Sequence, residues 1–102
     1  MNIVEINLSN FKEEVGQGTI LLDFWASWCG PCRMLAPVLE ELSSTEGIKV
    51  GKINVDEQAE LAAQFNISSI PALFLVKDGK IVNQTVGFQP VSALKDFIHH
   101  EI

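Results

Sequence analysis

The sequence predicts one α/β domain: a central mixed sheet, with parallel strands plus an antiparallel C-terminal hairpin, and helices on both faces. Three observations lead there. Short apolar runs alternate with helical stripes along 102 residues, 47% of them hydrophobic, which suffices for one ordinary core. Thr19 to Trp25 is almost continuously apolar, as a strand covered on both faces must be. Asp78-Gly79 between two apolar runs is a strong hairpin signal, so the last two strands run antiparallel.

The elements follow in order. Ile3 to Ile6 reads as a short strand. Leu8, Phe11 and Val15, spaced i, i+3, i+7, give a first helix that Gly16 and Gly18 end. After the Thr19 to Trp25 strand, a second helix covers Arg33 to Leu42, with Leu35, Val38, Leu39 and Leu42 inward and Glu40 and Glu41 outward. Pro37 removes an amide donor inside that helix and is expected to kink it. Gly47 precedes a third strand, Ile48 to Val55, and Asp56 suits the N-cap of a short helix through Phe65. Ala72 to Val76 and Lys80 to Val86 form the hairpin. A last amphipathic helix opens near Pro90 and turns Val91, Leu94 and Ile98 inward. The order βαβαβαββα puts crossover helices between parallel strands. No linker, internal repeat or low-complexity segment divides the chain, so residues 1–102 are read as a single domain.

Composition excludes several function classes. A net charge of −6 disfavours nucleic acid, whose phosphates demand a basic face, and equally disfavours anionic membrane surfaces. No apolar run approaches the ~18 residues that span a bilayer. Met1-Asn2-Ile3-Val4-Glu5 lacks the basic start and apolar stretch of a secretory signal. A cytoplasmic location is therefore expected, where a disulfide is more often transient and catalytic than structural. No feature demands an oligomer, and a monomer is expected.

Trp28-Cys29-Gly30-Pro31-Cys32 holds both cysteines of the chain, between a strand and a helix. Two cysteines three apart on a helix have Cα atoms roughly 5 Å apart, inside the window for a disulfide. Dithiol and disulfide can thus share nearly one backbone. A structural zinc site usually wants four ligands, and only His99 and His100 remain as strong candidates to complete one, so no metal is expected. A structural disulfide here would close a four-residue loop, which constrains the unfolded chain least. The pair therefore reads as redox-active. Cys29, at a helix N-terminus where free amides and the dipole favour a thiolate, is the expected attacking nucleophile. Cys32, one turn further in, is the expected resolving thiol. The site would lie beyond the carboxyl ends of the parallel strands, where open sheets bind ligands.

These residues, with Asp23 before them, Pro37 in the following helix, Lys52 in Gly51-Lys52-Ile53-Asn54-Val55-Asp56, Ile70-Pro71 and Gly87, resemble the thioredoxin family. The resemblance runs from about Ile3 to Ile98. It implies a small general protein-disulfide reductase, with no bound cofactor beyond a reversible Cys29–Cys32 disulfide. Such a protein is recharged by an NADPH- or ferredoxin-linked thioredoxin reductase. Its substrates include ribonucleotide reductase, peroxiredoxin and methionine sulfoxide reductase.

The resemblance also implies site roles. Asp23 becomes a buried carboxylate beneath the dithiol that takes the proton of Cys32. Burial should raise its pKa, and Lys52 on the neighbouring strand should temper the rise. Gly30 and Pro31 tune the redox couple. Ile70-Pro71 is a cis bond that exposes the Ile70 backbone to an extended substrate segment. Trp28 shields the disulfide and offers apolar contact, Trp25 is core packing, and Gly87 allows close backbone approach at the groove rim. The chain departs from the family's commonest pattern at Ser68-Ser69, at Ala72 and at Phe88, which enlarges the apolar rim. Two alternatives stand beside the reductase: a disulfide oxidant or isomerase of the same fold, against which Gly30-Pro31 speaks, and a non-catalytic binding module.

Overall fold

A computed structural model describes residues 2–99 of the chain, so His100 and Glu101 of the tail lie outside it. Nine elements follow one another: β1 Ile3–Glu5, α1 Phe11–Val15, β2 Thr19–Trp25, α2 Gly30–Glu46, β3 Lys49–Asn54, α3 Ala59–Gln64, β4 Ala72–Lys77, β5 Lys80–Val86 and α4 Val91–His99. The five strands make one sheet in the order β1-β3-β2-β4-β5. β1 and β2 each pair parallel with β3, whereas β2–β4 and β4–β5 are antiparallel. The expected mixed sheet is therefore the observed one.

Alternation along β2 separates two cores. Ile20, Leu22 and Phe24 face one side, with Val15, Ile53, Leu61, Phe74 and Val76. Leu21 faces the other, with Leu35, Leu39 and Leu42 of α2, Val50, Leu73, Leu75 and Leu94 of α4. Successive strand residues point to opposite faces, so a central strand needs apolar residues throughout. In β2, residues 20–24 are all buried. The hairpin turn follows from Asp78 and Gly79, both in the left-handed region at φ 50° and 82°.

Boundaries differ from the expectation in several elements, β1 ending at Glu5 and β4 running on to Lys77 among them. Leu8 lies outside α1 and is 55% exposed. The Asn7 side chain accepts the N–H groups of Ser9 and Asn10, and Asn10 accepts that of Asn7, so a turn of side-chain hydrogen bonds displaces the helix. α2 starts at Gly30 rather than Arg33 and runs to Glu46, where Gly47 ends it in the left-handed conformation at φ 67°. The helix continues through Pro37. β3 is one residue shorter at each end than Ile48 to Val55. Asp56 does not cap α3. The Asn54 carboxamide takes the N–H groups of Asp56 and Glu57, which holds the chain in a turn until Gln58 precedes the helix.

Candidate active site

The end of β2, the start of α2 and the loop before β4 converge. Cys29 is the N-cap of α2, and its Sγ accepts the N–H of Cys32 at 3.2 Å. Its carbonyl accepts the N–H of Arg33. A helix start leaves amide groups without internal partners, and here the sulfur itself satisfies one of them. Pro31 occupies the first turn, where its missing N–H costs nothing. Cys29 and Cys32 are joined as a disulfide with Cα atoms 5.3 Å apart. Both are buried and form, with Ala26, a small cluster against which Trp25, Val55 and Ile70 pack.

Asp23 is buried at 1% exposure. On β2 it lies midway between Leu21, packed with Leu35 and Leu39, and Trp25, packed against the two cysteines. All three share one side of the strand, so the carboxylate is set under the opening turns of α2. Its register partner on β3 is Lys52, whose Nζ stands 4.0 Å from Oδ2 and 4.7 Å from the centre of the Trp25 ring. Oδ1 is buried with no hydrogen-bond partner among the described residues. Burial raises the Asp23 pKa from 3.8 to about 7, against the opposing pull of the Lys52 ammonium. That sets the group where a general base for a thiol is most effective near neutral pH.

Ile70-Pro71 is a cis peptide bond. The Ile70 carbonyl oxygen lies 3.8 Å from Cys29 Sγ, and the Pro71 carbonyl accepts the N–H of Gly87 at 2.8 Å. Those contacts set Ile70 against Cys29 and tie Gly87 to Pro71. The backbone itself favours glycine at 87. A Cβ there would meet nothing within 4 Å, but the residue holds φ +95°, where side chains are strained. Phe88 beside it is 39% exposed, an apolar surface next to Gly87.

Trp28 is 66% exposed and donates its indole N–H to the Asp56 carboxylate at 2.9 Å. Trp25, Val55 and Ile70 pack against the disulfide. The Asp56 contact was not legible in the sequence, because it joins residues 28 apart and carries no local pattern. No group of three or more His, Cys, Asp or Glu that could hold a metal occurs among the described residues. Nor is any described helix long and apolar enough to cross a membrane. This arrangement can exchange two electrons and a proton with a disulfide presented at Ile70: two sulfurs, a buried base and an apolar rim.

The thioredoxin family model matches residues 2–100 of the chain. The thioredoxin of Bacillus subtilis (strain 168) is 45% identical, with all of both chains covered. That of Alicyclobacillus acidocaldarius is 50% identical over 85% of this chain and 86% of its own. Among solved structures, a mutant thioredoxin from Halobacterium salinarum NRC-1 matches with a TM-score of 0.89 and 37% identity, over 96% of this chain and 88% of that one.

Proposed function

Because the chain belongs to the thioredoxin family, we propose that its two sulfurs take unequal parts in protein-disulfide reduction. The chain is a protein-disulfide oxidoreductase that works by dithiol–disulfide exchange. In the reduced protein the Cys29 thiolate attacks one sulfur of a substrate disulfide. A Cys29–substrate mixed disulfide forms, and the other substrate sulfur leaves as a thiolate that takes up a proton. Asp23 then accepts the proton of Cys32, and the Cys32 thiolate attacks Cys29 Sγ. The second substrate sulfur departs as a thiolate and takes up the proton that Asp23 releases, and the Cys29–Cys32 disulfide is left. Two electrons have passed from the protein's sulfurs to the substrate's.

One observation carries the assignment: Cys29 Sγ caps α2 and already accepts the Cys32 N–H, so a negative charge on Cys29 has a donor and a helix dipole waiting for it. Lys52 supports Asp23 by keeping its pKa from climbing further. Gly30 and Pro31 hold the two sulfurs on one turn and so tune the couple. Trp28, Phe88, Ile70, Pro71 and Gly87 make the surface on which an extended substrate segment docks, paired to the Ile70 backbone.

The family carries with it a reductase partner and disulfide-bearing protein substrates. The finer reading names a reductase linked to NADPH or ferredoxin, acting with this chain in the cytoplasm. It names ribonucleotide reductase, peroxiredoxin and methionine sulfoxide reductase among the substrates. Cys32→Ser is expected to accumulate covalent adducts with oxidised substrates, and Cys29→Ser to be inert, both read on non-reducing gels and in an insulin-type reduction assay. Substantial activity in Cys29→Ser would reverse the two roles.

A further inference from the structure

The mechanism leaves unused a cleft next to the Ile70-Pro71 loop. Its volume is about 410 Å³, and Ser68, Ser69, Ala72, Phe74, Gln84 and Val86 are among its walls. Ala72 is 2% exposed and its side chain ends at Cβ, which leaves room above Phe74. Val86, 59% exposed, stands on the edge strand β5 as an open apolar wall. The side chains of Ser68, Ser69 and Gln84 add hydrogen-bonding groups to it. No charged residue lines the cleft among the described ones, although 20% of the chain is charged.

Position links the cleft to the chemistry. Ser69 is one residue from Ile70, whose carbonyl is 3.8 Å from Cys29 Sγ. An extended segment advances roughly 3.3–3.6 Å per residue, so a residue three or four places from a cysteine bonded to Cys29 can reach the cleft. Strand addition along β5 itself is hindered. The Gln84 N–H is taken by the Asn83 carboxamide, which in turn donates to the Phe97 carbonyl of α4. The cleft is thus shaped for a side chain, not for a further strand.

We propose that this cleft is a secondary substrate pocket that takes an uncharged side chain with an apolar body and a hydrogen-bonding end, such as tyrosine, three or four residues from the substrate's reactive cysteine. The proposal rests on the disulfide-reductase reading above. It is tested with peptides that carry one disulfide and Tyr, Phe, Ala or Glu at those distances on either side of the cysteine. The probe of chemistry alone is a small aromatic disulfide with no peptide, dithiobis(nitrobenzoate).

Wild-type kcat/KM is expected to favour the Tyr peptide over the Ala peptide roughly tenfold, with Glu lowest. Gln84→Phe, an exposed site whose new ring fills the cleft, should erase that preference. Gln84→Lys should lift the Glu peptide above the Ala peptide. Both variants should reduce the small disulfide as the wild type does. A flat peptide ranking in the wild type, or a ranking that neither variant alters, overturns the pocket. So does concentration-dependent self-association that Gln84→Lys abolishes, because the occupant is then a second copy of the chain. Failure of the wild type to reduce the small disulfide overturns the reductase reading instead.

Discussion

The two faces of the sheet are built to different ends. The face toward α1 and α3 is aromatic. Phe11, Phe24, Phe65 and Phe74 form four ring pairs with centroids 5.0–5.9 Å apart, three of them edge-on, and no ionisable side chain is buried among them. The face toward α2 and α4 is aliphatic over its lower part and gives way, toward the carboxyl end of β2, to Asp23 and Lys52. Both buried polar side chains among the described residues, Asp23 and Ser43, belong to this second side. One face thus supplies stability without interruption, which allows the other to hold a buried carboxyl group at the place where thiol chemistry needs a base. The proton and sulfur chemistry is confined to one layer of the core.

The largest effect should come from the face with no part in the chemistry. Phe24 is fully buried and contacts both Phe65 and Phe74. Phe24→Ala is expected to cost about 3–5 kcal/mol in urea unfolding, as buried Phe→Ala changes do. The fraction that remains folded should keep the wild-type pH profile of disulfide reduction. A shifted profile would show that the aromatic face also sets the Asp23 environment, and the division would fail.

Asp23 gives the opposite sign. Its carboxyl has a pKa of 3.8 when unfolded and about 7 when folded. Below pH 4 both states hold the proton and ionisation adds no cost. Between pH 4 and pH 7 the unfolded chain ionises while the folded one does not, so stability falls as pH rises. Above pH 7 the full penalty of roughly 4 kcal/mol applies, at about 1.4 kcal/mol per pH unit. Asp23→Ala should therefore be more stable than wild type at pH 8, by less than that figure because a small cavity replaces the carboxyl. The advantage should shrink steadily toward pH 4. Resolution of the mixed disulfide should slow at the same time. A variant that is less stable at pH 8 and fully active would remove Asp23 from both roles.

What could be read from the sequence depended on how far each cause reaches along the chain. β2 and the hairpin were legible because their causes are local: a run apolar on both faces, and two residues suited to left-handed φ. Cys29 and Cys32 were legible because their spacing alone fixes the geometry of a helical turn. α1 was overextended to Leu8, since the apolar period ignores the asparagine side chains that bond the intervening backbone. The apolar stripe of α2 begins only at Leu35 and so points to a start at Arg33, although Cys29 is read at the helix N-terminus. Gly51 had no legible reason at all. A Cβ there would stand 2.9 Å from the side chains of Ile6, Ile20 and Leu22, which lie on the neighbouring strand β2 and in the loop after β1. Such a cause appears only when the sheet has formed. The Asp56–Trp28 contact is of the same long-range kind.

The smallest effect should distinguish the two buried polar groups of the α2 side from each other. Ser43 Oγ accepts the N–H of Asn2 at 2.8 Å, and the Asn2 carbonyl accepts the N–H of Val50, so Ser43 fastens the start of the chain to α2 beside β3. Unlike Asp23 Oδ1, this oxygen has its partner. Ser43→Ala removes one hydrogen bond, at roughly 0.5–1.5 kcal/mol. It also places a better helix former inside α2, which returns a few tenths. Asn2 is exposed, so water can take over its N–H. The net loss in urea unfolding should stay under about 1 kcal/mol and be the same at pH 5 and pH 8, since nothing that titrates is removed. A loss that grew with pH would tie Ser43 to the ionisation of Asp23. The upper and lower halves of that face would then be one coupled unit, not a functional site set on a structural base.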